Sequence, residues 1–172
     1  MSDGRRRFEA VVLPHLDAAY RFARWLNSAP GHADDVVQEA MLRAFRGFSA
    51  FRGDDPRAWL FAIVRNCNAT ALTQQRRRGA DPLPEEDSEF IATEAGPEVE
   101  VLRRDDRRTV ERLLAGLPTE YREVLVLREI EELNYRDIAT VASIPIGTVM
   151  SRLARARAAL RHQWLIEMKE TA

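Results

Sequence analysis

Apolar residues along this chain recur with helical spacing, and no stretch shows the sustained alternation of a strand bounded by turn dipeptides. Phe8, Val11, Val12, His15, Leu16, Ala19, Phe22, Ala23 and Leu26 predict a first helix, which ends at the break from Asn27 to Gly31 around Pro30. From Asp34, the positions Val36, Val37, Ala40, Met41, Ala44, Phe45 and Phe48 mark the cleanest amphipathic helix in the chain. After the loop Arg52-Gly53-Asp54-Asp55, Pro56 opens a third helix with Trp59, Leu60, Ile63, Val64, Cys67 and Ala71 on its buried side and Phe61 ambiguous. The pattern then lapses and resumes near Val101. Helices are predicted at about 103–116, at 118–130 from Pro118, at 135–142, and from 145 into the 160s. Only Ser143 and Ile144 separate the last two, a connection tight enough for a helix-turn-helix.

Composition agrees: glycine is sparse, at 8 of 172 residues, while Ala, Leu, Arg and Glu abound. The fold class read from this is all-α, with two small helical domains joined by an acidic, flexible linker. Net charge, only −1 in total, makes the division visible: residues 1–78 carry +5, residues 79–106 carry −8 and residues 107–172 carry +2. Residues 79–101 hold eight acids, three prolines and no basic residue, a linker composition. The predicted boundaries are 1–78, 79–102 and 103–172. Lys169 is the only lysine, so the cationic groups are almost all arginines, which can make planar bidentate contacts to phosphate or guanine.

Three constellations carry candidate chemistry. The segment from Pro145 to Ala156 starts abruptly as a helix. Pro145 pre-sets φ, Gly147 leaves the backbone open to close approach, and Thr148 adds a donor at the positive helix end. Ile146, Val149, Leu153, Ala156 and Leu160 define its buried stripe, leaving Thr148, Ser151 and Arg155 on a small, polar, cationic face. Upstream, Asn134 is an N-cap candidate with Asp137 at N3, and Ile138, Ala139 and Ala142 would brace the next helix. On the 34–48 helix, Asp35, Gln38, Glu39, Leu42 and Arg46 lie opposite the apolar stripe, a docking patch or an ordinary solvated face. On the third helix Arg65, Asn66 and Asn68, on or beside its exposed side, lead into Arg76-Arg77-Arg78, a base- and phosphate-reading surface or a solvated charge run.

Other chemistry is disfavoured. Cys67 falls in an apolar helical pattern and reads as a buried structural thiol, and His15, His32 and His162 are scattered, so no metal site and no cofactor are expected. Asp34, Asp35 and Glu39 could be imagined as metal-binding carboxylates of a nucleic-acid enzyme, but acids at a helix start commonly serve the dipole, and the expectation is no enzyme. Arg5-Arg6-Arg7 is not followed by an apolar run, since Glu9, Pro14 and Asp17 interrupt it. No stretch is long enough to span a bilayer, so no membrane insertion and a cytoplasmic location are expected.

Taken in order, these constellations resemble the bacterial sigma factors of the extracytoplasmic-function (ECF) group, over nearly the whole chain. Asp34-Asp35-Val36-Val37-Gln38-Glu39-Ala40 with Arg43-Ala44-Phe45, then Phe51-Arg52-Gly53, Trp59-Leu60-Phe61 and Asn66, resemble conserved region 2. Leu117-Pro118 with Tyr121-Arg122, Leu133-Asn134-Tyr135 with Ile138-Ala139, and Ile144-Pro145-Ile146-Gly147-Thr148-Val149 with Ser151-Arg152-Leu153 and Arg155-Ala156-Arg157 resemble region 4.

The resemblance implies an architecture of sigma region 2 (1–78), an acidic linker (79–102) threading towards the RNA exit path, and sigma region 4 (103–172). It implies core RNA polymerase, promoter DNA and an anti-sigma factor as partners. It also implies roles: Asp35, Gln38, Glu39, Leu42 and Arg46 for the polymerase clamp; Arg65, Asn66, Asn68, Arg76, Arg77 and Arg78 for recognising and melting the −10 element, with an extruded base captured in a loop after that helix; Thr148, Met150, Ser151, Arg152 and Arg155 for the −35 element. Met150 stands where relatives often carry Lys or Arg, and Ser143 where they often carry Gly or Asn. The alternative from residue types alone is a stand-alone helix-turn-helix regulator, which leaves the Asp35 face unexplained.

Overall fold

The computed structural model describes residues 3–27, 29, 31–79 and 97–171, without the side chains of residues 97–105 and 171. The described residues form eight α-helices and no strand: α1 (Asp3–Val12), α2 (Leu16–Leu26), α3 (His32–Gly47), α4 (Pro56–Arg77), α5 (Pro97–Ala115), α6 (Thr119–Leu125), α7 (Tyr135–Ala142) and α8 (Ile146–Thr171). The chain is all-α, in two helical lobes. Residues 80–96, most of the predicted acidic linker, lie outside the described residues.

The first predicted helix is two. Pro14 has no N–H to donate to the preceding turn, so Leu13–His15 tighten into a 3₁₀ turn, with the Leu16 N–H bonded to the Leu13 carbonyl, before α2 begins. Helices α2, α3 and α4 pack on one another around Phe22 and Phe61, whose rings lie 5.0 Å apart and are fully buried. Phe61 is thus core. Ala19, Ala23, Ala40 and Ala44, all without exposed surface, let the helix axes approach closely. Asp55 starts α4 by accepting the Arg57 and Ala58 backbone N–H groups at 2.9 and 3.1 Å, with Pro56 at the first helical position.

In the second lobe α5 begins at Pro97, earlier than the apolar period predicts. The predicted 118–130 helix is interrupted: α6 ends at Leu125, and Val126–Ile130 form a π turn in which the Glu131 N–H reaches the Val126 carbonyl, five residues back, at 2.9 Å. The extra residue per turn rotates Glu131 away from the face it would occupy on a continuous α-helix. Asn134 caps α7 as expected: its Oδ1 accepts the Asp137 N–H at 2.8 Å, while its Nδ2 donates to the Asp137 carboxylate at 2.7 Å. Ser143 then turns the chain in the left-handed region (φ 54°, ψ 46°), and Ile144 N–H closes on the Ala139 carbonyl at 3.0 Å. Ile138, Val141, Ala142, Val149, Leu153 and Ala156 form the buried seam of this α7–α8 pair.

The lobes pack on each other, α4 against α7 and α2 against α6, and their buried apolar residues form one continuous cluster.

Candidate nucleic-acid and polymerase interface

Every predicted docking residue on α3, Asp35, Gln38, Glu39, Leu42 and Arg46, is exposed, while Val36, Val37, Ala40 and Ala44 turn inward. Leu42 and Phe45 stand half out of the surface, at 48% and 52% exposure, beside Arg43, which pairs with Glu39 at 2.6 Å. The face is an apolar ridge flanked by charge.

The α4 constellation is not one surface. Asn66 and Arg76, Arg77 and Arg78 are exposed. Asn68 is not on the exposed side: it is 3% exposed, and its Oδ1 meets His32 Nε2 at 2.8 Å across the α3–α4 seam. A buried amide must be satisfied, and His32 in the first turn of α3 satisfies it. Arg65 is partly buried, its Nε 2.7 Å from Glu123 of the second lobe. Trp59, expected as core, is only partly buried and packs on Phe51, with ring centroids 4.7 Å apart. Beside this pair lies a hollow of about 300 Å³ lined by Arg43, Phe51, Trp59, Ile63 and Asn66. The loop after α4 lies outside the described residues beyond Gly79.

On α8, Met150, Ser151 and Arg155 are exposed, and Thr148 and Arg152 are partly so. Ser151 Oγ donates back to the Thr148 carbonyl at 3.1 Å. A Cβ on Gly147 would meet nothing within 4 Å, so the helix start is open to a ligand's backbone. Ile146, placed by period on the buried stripe, is 43% exposed. Period fixes the face of a residue, not how far neighbouring helices extend over it.

Between the lobes lies a set of ion pairs that sequence reasoning missed. Glu131, 1% exposed, accepts Arg21 Nε and Nη2 at 2.8 and 2.9 Å and Arg57 Nη2 at 2.8 Å, and its own carbonyl accepts Arg57 Nη2 at 2.6 Å. The hydrogen bond to Glu131 raises the Arg21 pKa. Burial lifts the Glu123 carboxyl above its ordinary range, with Arg65 and the nearby Arg152 pulling it down. Arg122 donates to the carbonyls of Leu114 and Ala115 at 2.8 Å each, of Leu117 at 3.2 Å and, across the lobe boundary, of Leu26 at 3.1 Å. It caps the C-terminal end of α5, although burial lowers its own pKa. Cys67 is buried, and burial raises its thiol pKa, as for an inert structural cysteine. Among the described residues no three His, Cys, Asp or Glu side chains gather as metal ligands, and no helix is long and apolar enough to cross a membrane.

The Sigma-70 region 2 family matches residues 11–78, and the Sigma-70 region 4 family matches residues 107–160. RNA polymerase sigma-H factor of Pseudomonas aeruginosa is 37% identical over 165 residues, covering 91% of this chain and 85% of that protein. The chain belongs to the sigma-70 family, in its ECF group. The ECF RNA polymerase sigma-E factor of Escherichia coli K12 is 36% identical over 142 residues, 76% of this chain and 72% of its own. Among solved structures, the sigma factor RpoE of Bartonella quintana, in complex with the anti-sigma factor NepR, aligns with a TM-score of 0.74 at 26% identity, covering 91% of this chain and 96% of its own. CnrH, in complex with the cytosolic domain of CnrY, aligns at 0.65 and 29% identity over 93% and 88%. In this sigma factor the region 2 match takes in α2–α4, and the region 4 match takes in α6, α7 and the first half of α8, with α7 and α8 as its helix-turn-helix. The signal for the missed glutamates is faint in sequence: Glu129, Glu131 and Glu132 stand together, and nothing local separates the buried one from its neighbours.

Proposed function

We propose that this sigma factor binds core RNA polymerase through the α3 face, reads the −35 element with α8, and recognises and melts the −10 element with α4. The proposed organisation is region 2 over 1–78, an acidic linker over 79–102, and region 4 over 103–172, with α5 reaching back into the linker. The observation that carries the reading is one chain with an exposed α3 docking ridge and two arginine-bearing faces, on α4 and α8, held in separate lobes. A stand-alone regulator would have no use for that ridge.

On α8, Thr148 and Arg152 flank the open helix start, where an anion is favoured, and Ser151 and Arg155 follow on the groove-facing side. Met150, exposed, supplies an apolar contact of the kind thymine methyls accept, in place of a phosphate-binding cation. On α4, Asn66 and Arg76 to Arg78 provide base-edge and phosphate contacts, with Arg65 joining once it leaves Glu123. Asn68 acts by fixing the α3–α4 seam. The extruded base is received by the loop that follows α4, beyond Gly79; extrusion costs about a few kcal/mol, which a fitted pocket with backbone contacts offsets.

About four phosphate contacts give a salt slope of about −3.6, and non-specific affinity alone is only about 10⁻⁴ to 10⁻⁶ M. Selectivity therefore emerges in the holoenzyme, where two tethered contacts gain about two to four decades of avidity. The protein is not an enzyme, works in the cytoplasm, and is restrained by an anti-sigma factor, the kind of partner bound to its structural relatives. The test is retention on core polymerase and transcription in vitro. The pair Asp35→Ala with Gln38→Ala should lose retention with an unchanged melting curve, and Arg155→Ala should reduce initiation only at promoters dependent on a −35 element. Full retention by the first pair removes the docking assignment.

A further inference from the structure

We propose that the arginine run at the start of α1 is a phosphate clamp for single-stranded DNA, in which Arg6 and Arg7 extend the α4 surface along a row of aromatic rings. The inference deepens the α4 reading given above and rests on it for the source of the strand, which −10 melting releases. The run lies ahead of residue 11, where the region 2 match begins.

Arg5, Arg6 and Arg7 stand near the N-terminal end of α1, where a helix dipole favours acids over cations. Arg5 is answered one turn on by Glu9, at 2.9 Å. Arg6 and Arg7 are exposed, and neither forms an ion pair among the described residues. Residues 1–78 carry +5, so these cations add to an excess that only an outside anion relieves.

Arg7 gives the run its direction. Its guanidinium lies over the Phe48 ring, 5.6 Å from the centroid; Phe48 stacks on Phe51 at 6.1 Å, and Phe51 meets Trp59 at 4.7 Å. Phe51 and Trp59 are partly exposed, and the hollow beside them carries Asn66 and Arg43 on its wall. Arg52 holds the Phe51 turn in place by donating to the carbonyls of Ser49 and Phe51 at 2.6 and 2.9 Å. Cations, rings and an amide thus form one strip from α1 past the end of α3 to α4. Single-strand surfaces have this composition, because rings offer stacking to any base while arginines follow the phosphates. A duplex keeps its bases stacked inward, so exposed rings gain little from it. The α3 ridge differs: it sets Asp35 and Glu39 among Arg43 and Arg46, a mixture of signs suited to a protein.

The test uses the full chain, on which the strip is exposed, and a fluorescein-labelled strand of about 20 thymidines, read by anisotropy over a salt series. A single-strand phosphate contact contributes about 0.7 to the salt slope. Arg6→Gln with Arg7→Gln should therefore lower the slope by about 1.4 and weaken binding about tenfold at about 0.15 M salt. Arg6→Gln alone should lower it by about 0.7, and it serves if far-UV circular dichroism shows the pair unfolded. Binding should quench tryptophan emission, and Trp59→Phe should remove most of that quenching. Retention of the arginine variants on core polymerase should be full. A wild type that does not bind the strand, folded variants with unchanged slope, or quenching that survives Trp59→Phe would each overturn the clamp. Lost retention on core would give the arginines to a polymerase surface and overturn it too. The promoter reading fails separately, as a wild type that supports no promoter-dependent transcription with core polymerase, because thymidine binding judges the strip without polymerase or promoter.

Discussion

Region 2 and region 4 bury different things. Region 2 closes on aromatic rings: Phe22 on Phe61, and Phe8 edge-on to Phe45 and Phe48 at 5.2 and 5.4 Å, with its charged side chains outside. Region 4 closes on Leu, Ile and Val and encloses Glu123 and Glu131 among them. An aromatic core meets its needs within its own lobe. Enclosed carboxylates need cations, and three of the four arginines around them belong to the other region. Region 2 is thus self-sufficient in a way that region 4 is not.

The largest expected effect breaks the aromatic side of this contrast. Phe22→Ala should cost about 3–5 kcal/mol, because a fully buried ring leaves a cavity that neighbouring helices fill only in part. Calorimetry should place that loss on region 2, with the region 4 transition moving far less. Next, Arg122→Met should cost about 1–3 kcal/mol by stranding the carbonyls of the buried Leu114 and Leu117, and chemical denaturation should assign this loss to region 4. Asn134→Ala, which removes the α7 cap, should cost about 1 kcal/mol in the same assay and reduce −35-dependent initiation in proportion to lost order.

Two smaller effects sharpen the comparison. The raised Glu123 carboxyl takes up protons more readily when buried, so its contribution favours the folded state most below the ordinary value of 4.5 and is lost as pH rises through the raised value. Between pH 4.5 and 7, Glu123→Gln should flatten the pH dependence of the denaturation midpoint, at a cost under about 1 kcal/mol at pH 7. Ser143→Gly should stabilise by about 0.5 kcal/mol, since glycine relieves the left-handed strain but adds freedom to the unfolded chain. An unchanged or lower melting temperature would show that Ser143 carries no strain.

Much of the site was legible before any coordinates. The α3 face, the α7 cap, the Ser143 turn and the exposed side of α8 all follow from residues within a few positions of one another, and each stands where period and capping chemistry placed it. Three readings went astray for one kind of reason. Ile146 and Trp59 lie where a neighbouring helix does not fully cover them, and Asn68 lies where His32, 36 residues away, draws it in. Pro14 splits the first predicted helix because a proline in an apolar helical period leaves the period intact while removing the N–H that the helix needs.

By itself, then, the amino-acid order determined the helical character, most of the apolar stripes, the basic face near the C-terminus and the family. Only the tertiary structure decided which charges are spent inside the molecule. Glu131 meets Arg21 and Arg57 across 110 and 74 residues, and Glu123 meets Arg65 across 58. Local periodicity carries no record of such pairings, because an ion pair depends on where two surfaces are brought together, and a glutamate on a helix looks the same in sequence whether water or an arginine faces it.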